Sequence, residues 1–174
     1  MKNLFVFEAA LLSLFLLSFF GCREDTSPKL PLAGFKVEFV KNEIPTEMMA
    51  DQKVSADVTV KNASSKTWPS KPDSKGRNAV YLSYHWLDRK RQIVVFDGLR
   101  TPLPHDLNPG ESITLKAAIL APKKTGDYIL HLTLVQEGVA WFSEMDGGHI
   151  LISVAVKSKD ASFLRKGEAA GRPG

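Results

Sequence analysis

Apolar and polar residues alternate with a period of two through most of this chain. Phe35, Val37 and Phe39 alternate with Lys36 and Glu38, and Val54, Ala56, Val58 and Val60 with Ser55, Asp57 and Thr59. The pattern recurs at Val80, Leu82, Tyr84 and Trp86, then at Ile113, Leu115 and Ala117. It returns at Tyr128, Leu130, Leu132 and Leu134, and closes with Ile150, Ile152, Val154 and Val156. Shorter runs, Ile93 to Phe96 and Val139 to Phe142, lie between these. Turn chemistry bounds the runs at Asn62–Ser65, Asp88–Arg91, Asn108-Pro109-Gly110, Lys124–Asp127 and Asp146-Gly147-Gly148. No comparable stretch has helical spacing. Short strands with one apolar face each must bury those faces against one another, which predicts an all-β sandwich of two sheets.

Two positions sharpen the prediction to an immunoglobulin-like topology of seven or eight strands over residues 35–157. Trp86 points inward on the strand expected to be C, and Gly126-Asp127-Tyr128 opens a late strand where a tyrosine corner is expected. There is no disulfide to pin such a core, because Cys22 is the only cysteine.

Upstream of the alternation, Lys2 precedes an apolar run from Leu4 through Phe20 that exits at Gly21-Cys22. A positive start, an apolar stretch and a small exit residue make a secretory signal of residues 1–21. The lone cysteine after that small residue resembles the lipobox of bacterial lipoproteins, with Phe19 where the family prefers Leu. The resemblance implies that Cys22 carries a diacylglycerol and an N-terminal acyl chain such as palmitate. The protein would then be held on a membrane by its lipid anchor. Arg23, where Asp would favour inner-membrane retention, implies the outer membrane, with the domain in the periplasm or at the cell surface. Two other readings stay open: an uncleaved signal anchor, since about 17–18 apolar residues span a bilayer, and an ordinary signal with a buried thiol. Residues 22–34 read as a lipidated cysteine and charged, proline-containing tether, and residues 158–174 as a flexible tail.

Composition adds exclusions. With 44% hydrophobic and 24% charged residues, the chain is not disordered throughout. Its net charge of +4 is spread through loops without a binding motif, so nucleic acid is not an expected partner.

Several segments stand outside the alternation. Tyr84–Asp88, Leu99–Pro104, Leu107–Glu111, Gly126–Tyr128 and Leu134–Phe142 together look like a bacterial β-sandwich module appended to glycosyltransferases and methyltransferases of surface-polysaccharide pathways. Val58–Trp68 is similar to an immunoglobulin-like domain marked by an Asn-x-Gly-x-x-x-Trp turn, with Ser64 in place of the glycine. These resemblances imply a binding or accessory module and no catalytic domain.

Four residues are candidates for ligand contact. Trp68, Tyr81 and Trp141 fall at strand ends or opposite the core set, where flat rings can stack on sugar faces. Trp68 and Trp141 can equally plug the ends of a disulfide-free sandwich. Arg100 can clamp a ligand carboxylate or brace two strands internally. His85, His105, His131 and His149 show no metal-ligand spacing, although His85 and His131 would be neighbours if their strands pair. Nor do the carboxylates form an acid–base pattern, so no enzyme, metal or cofactor is expected. The expected function is non-catalytic binding of an envelope protein or a surface glycan. The alternative is an envelope enzyme or metal-binding protein with an unrecognised site.

Overall fold

A computed structural model describes residues 30, 31 and 34–159, and Cys22 and the tail from 160 lie outside them. The described residues form ten strands: β1 (Val37–Asn42), β2 (Glu47–Met49), β3 (Lys53–Asn62), β4 (Val80–Leu87), β5 (Ile93–Val95), β6 (Thr101–Pro102), β7 (Ser112–Leu120), β8 (Gly126–Gln136), β9 (Ala140–Trp141) and β10 (Ile150–Lys157). One 3-10 turn, Phe142–Met145, follows β9. The strands make a three-stranded sheet, β1-β3-β7, and a seven-stranded sheet with the path β2-β10-β8-β4-β5, to which β6 and β9 add. All pairings are antiparallel except β2 with β10. The chain is an immunoglobulin-like β-sandwich.

The inward residues are those the alternation selects. Val58, Val60, Trp86, Ile119, Leu130, Leu132 and Leu134 are fully buried between the sheets. Dry contact of these apolar faces supplies the main driving force for closing the two layers. Polar side chains then stitch the seam at β7. The Leu120 N–H donates to Tyr84 Oη at 2.8 Å, Trp86 Nε1 donates to the Leu120 carbonyl at 2.8 Å, and the Ala118 N–H donates to Thr101 Oγ1 at 3.1 Å. Tyr128 Oη donates to the Lys124 carbonyl at 3.1 Å, tying a strand start to the turn before it as a tyrosine corner does.

The structure departs from the sequence reading in three places. Met48-Met49, outside every alternating run, lies in β2, with Met48 buried against the core. Thr101-Pro102, also outside those runs, forms β6 with Pro102 opposite Tyr81, and these two short strands raise the count above eight. Leu30 falls in the stretch read as tether, yet it is 4% exposed and its N–H donates to Gln136 Oε1 at 3.0 Å. The packed chain therefore includes Leu30. Strands of two or three residues and a single apolar anchor carry too little periodicity to stand out from loop sequence.

Candidate functional site

The Asn-x-Ser-x-x-x-Trp turn is a structural device. Asn62 ends β3 fully buried, and its Nδ2 donates to the carbonyls of Lys66 and Leu107, both at 2.8 Å. Asn62 Oδ1 accepts from the Ser64 N–H at 3.0 Å and from Ser64 Oγ at 2.6 Å. Each buried polar group thus meets a partner inside the turn. The turn delivers Trp68 to the core, where Trp68 and Leu107 exchange backbone hydrogen bonds at 2.9 and 3.0 Å. The Trp68 indole N–H donates to the Gly34 carbonyl at 2.8 Å, and Phe142 packs edge-on against its ring. Trp68 is 0% exposed, so it closes the sandwich and presents no ring face to a sugar.

A second cluster covers the outer face of the larger sheet. Tyr81, Ser83, His85 and Leu87 point outward from β4, opposite Val135, Thr133, His131 and Ile129 of β8. The loop after β5 lies down on this face because Gly98 has no side chain: a Cβ there would come within 2.5 Å of the Tyr84 carbonyl. Arg100 is thereby placed among four acceptors. Its Nε donates to Glu137 at 3.0 Å, Nη2 to Asp97 at 2.9 Å, and Nη1 to Ser83 Oγ at 3.1 Å and the Gly98 carbonyl at 2.9 Å. Burial works against the charge, but the carboxylates of Glu137 and Asp97 outweigh it and raise the guanidinium pKa further. Arg100 therefore braces the loop, and a ligand carboxylate would have to displace one already bound.

Trp141 sits beneath that guanidinium, with Arg100 Cζ 4.8 Å from its ring centroid. His85 lies 4.1 Å and Phe96 5.7 Å from the same indole, centroid to centroid, leaving it 7% exposed. Like Trp68, it offers no open stacking platform. Tyr81 is half-buried on the same face. The four candidates from sequence thus separate into a core plug, a covered ring, a paired cation and one partly open phenol.

The expected histidine neighbours do meet. His85 and His131 face each other across β4 and β8, with ring centroids 5.4 Å apart, and His149 packs 4.4 Å from His131. Burial, then repulsion from His149 and His85, pushes the His131 pKa down to about 4. Burial also lowers that of His85, partly offset by a hydrogen bond between its Nδ1 and the Phe96 carbonyl. Both rings are neutral near pH 7. Among the described residues, no group of three or more His, Cys, Asp or Glu side chains is placed to hold a metal ion.

The open region lies at the flank, where sequence reasoning named no site residue. β5 ends the path of the larger sheet, and Ile93, Val94 and Phe96 are 54%, 47% and 49% exposed. Beside it, between β5 and the end of β7, runs a groove of about 480 Å³. Tyr84, Val94, Val95, Leu120, Pro122 and Tyr128 form its apolar walls, and Asp51, Asp97, Lys123 and Lys124 supply its charges. A signal was present in the sequence: Ile93-Val94-Val95-Phe96 is one of the few unbroken apolar runs between the alternating strands.

Comparison with known proteins gives little beyond the architecture. No protein-family model and no curated protein matches this sequence. Among solved structures, the chain is similar to the CARDB domain of a Pyrococcus furiosus protein, determined by solution NMR. The two share 17% identity with a TM-score of 0.38, over 70% of this chain and 93% of that one.

Proposed function

We propose that this protein is a lipid-anchored component of the bacterial envelope whose sandwich acts as a non-catalytic binding module. Its partner is a protein that presents an extended apolar segment to β5 and the adjoining groove. The observation that carries this reading is the exposure of Ile93 and Val94 on a terminal strand, with Phe96 exposed just past its end. Such an edge can accept an added strand through backbone hydrogen bonds, while neighbouring pockets select its side chains. The histidines and Arg100 are engaged in packing and pairing on the outer face, which favours a structural over a catalytic use. A surface glycan is the weaker alternative, because Trp68 and Trp141 have no open ring faces. Attachment through Cys22 rests on the lipobox resemblance, with the outer membrane as the destination.

The partner is tested by replacing Val94 with the photo-cross-linking residue p-benzoylphenylalanine in cells. A single adduct with one envelope protein is expected, reduced by Phe96→Asp. The same probe at Leu151, exposed on β10, should give none. Equal adducts from both positions would count against the β5 surface. Mass spectrometry of the mature N-terminus tests the anchor: an acylated Cys22 is expected, and an intact Met1 would overturn it.

A further inference from the structure

We propose that the partner segment bound at β5 ends in acidic residues, which four cations recognise where β5 begins. This rests on the reading of β5 and its groove as the partner surface, and names the chemistry of that partner. Two turns meet at this end of the larger sheet. Leu87, the last residue of β4, pairs with Ile93 at the start of β5 and with Ile129 near the start of β8. The turn over residues 88–92 therefore lies beside the turn over 121–125, and Arg89 of the first forms an ion pair with Asp127 just after the second. The first turn also carries Lys90 and Arg91, and the second Lys123 and Lys124, all four exposed. Among the described residues, none of these four has an ion-pair partner. The nearby carboxylates are engaged instead. Asp88 Oδ1 accepts from the Lys90 and Gln92 N–H groups at 2.8 and 2.9 Å, closing its own turn. Asp127 is taken by Arg89, and Asp97, past the other end of β5, is taken by Arg100. Of the carboxylates lining the groove, Asp51 alone lacks a partner. The groove thus has apolar walls, a neutralised far end and a positive mouth.

A bulge builds one apolar wall. Leu87 pairs with Ile93 and Trp86 with Val95, so Val94 is an extra residue in β5. A bulge re-aims side chains, and the consecutive Val94 and Val95 both line the groove. Leu120, Pro122, Tyr84 and Tyr128 complete the walls. Both tyrosine hydroxyls are engaged by backbone, Tyr84 Oη with the Leu120 N–H and Tyr128 Oη with the Lys124 carbonyl. The walls therefore select apolar residues and leave direction and register to the charged mouth. Burying the apolar residues supplies the attraction, while an acid at the mouth meets four cations and a base there is repelled by them. All pairings in this sheet except β2 with β10 are antiparallel. A segment added to β5 in that sense brings its C-terminal end to the mouth, so its acids follow its apolar residues.

The test titrates purified full-length protein into two fluorescein-labelled peptides, Ser-Val-Thr-Val-Thr-Phe-Asp-Asp and the same sequence ending in Lys-Lys, read by anisotropy. The acidic peptide is expected to bind about tenfold more tightly, and added salt should shrink the difference, because these exposed charges are screened. Lys123→Glu combined with Lys124→Glu should abolish the preference at an unchanged melting temperature. Val94→Asp should weaken both peptides; if it does not fold, Leu120→Asp takes its place. Equal binding, no binding of either peptide, or a preference that survives the two lysine substitutions would overturn the proposal. The partner reading fails separately. If the Val94 photoadduct is absent in cells, the partner is lost while the peptide preference still stands. If the adduct forms and the two lysine substitutions leave its yield unchanged, the partner stands and its acidic end is lost.

Discussion

The outer faces of the two sheets follow different rules. On the three-stranded sheet, β3 and β7 turn Asp57, Thr59, Lys116 and Thr114 to solvent, joined only by a Thr59–Thr114 hydroxyl contact at 2.8 Å and a Lys116–Asp57 ion pair at 2.6 Å. On the seven-stranded sheet, the corresponding face of β4 holds Ser83 and His85 buried under Arg100, Phe96 and Trp141. The first face is an ordinary solvated surface. The second is a thin additional core, built from aromatic and largely paired polar groups, with His131 Nε2 buried without a hydrogen-bond partner. A cluster of histidine, arginine and tryptophan is thus no sign of a ligand site when its faces are already covered. The open chemistry lies at the β5 flank instead.

The comparison can be broken from the inside outward. Trp68→Ala removes a fully buried indole from the core both faces depend on, and should cost about 3–5 kcal/mol in urea unfolding. Arg100→Ala tests whether the covered face is a second core. It removes the cation that Glu137 pairs with and one of the two partners of Ser83, and it uncovers Trp141, so a loss of about 1–3 kcal/mol is expected. A loss below that range would make this face as dispensable as the other. Acid provides a third test. The folded pKa of His131, about 4, lies below the ordinary value of 6.5, so its neutral form contributes fully above pH 6.5. That contribution is lost as pH falls toward 4, and the lowered pKa of His85 acts in the same direction. Unfolding midpoints measured from pH 7 to 4.5 should fall, and less steeply in His131→Gln. At the solvated face, Lys116→Ala breaks one ion pair whose lysine is exposed and whose Asp57 oxygen is half-sheltered, and a loss of no more than about 1 kcal/mol is expected.

The two faces also differ in how far they were legible in the sequence. Period-two alternation identified the inward set because burial on one side of a strand imposes that period. It placed Trp86 and Tyr128 correctly and set His85 beside His131 once β4 and β8 pair. What alternation cannot show is which outward residues a loop later covers. Arg100 and Trp141 read as ligand candidates because their coverage depends on Gly98 and on the 3-10 turn, which bring distant segments onto the sheet. For Trp68 the sequence offered both a plug and a surface ring, because its place is set by Asn62, through hydrogen bonds that span a turn. The β5 flank was marked by a break in the alternation, which short length made hard to weigh.

Hydrogen–deuterium exchange on the membrane-anchored protein tests the central claim most directly, comparing isolated envelopes with purified protein. Binding at the flank predicts added protection confined to residues 93–99 and 120–124. Added protection at 129–133 and 141–149 instead, with the flank unchanged, would place the working surface on the covered face and contradict the account.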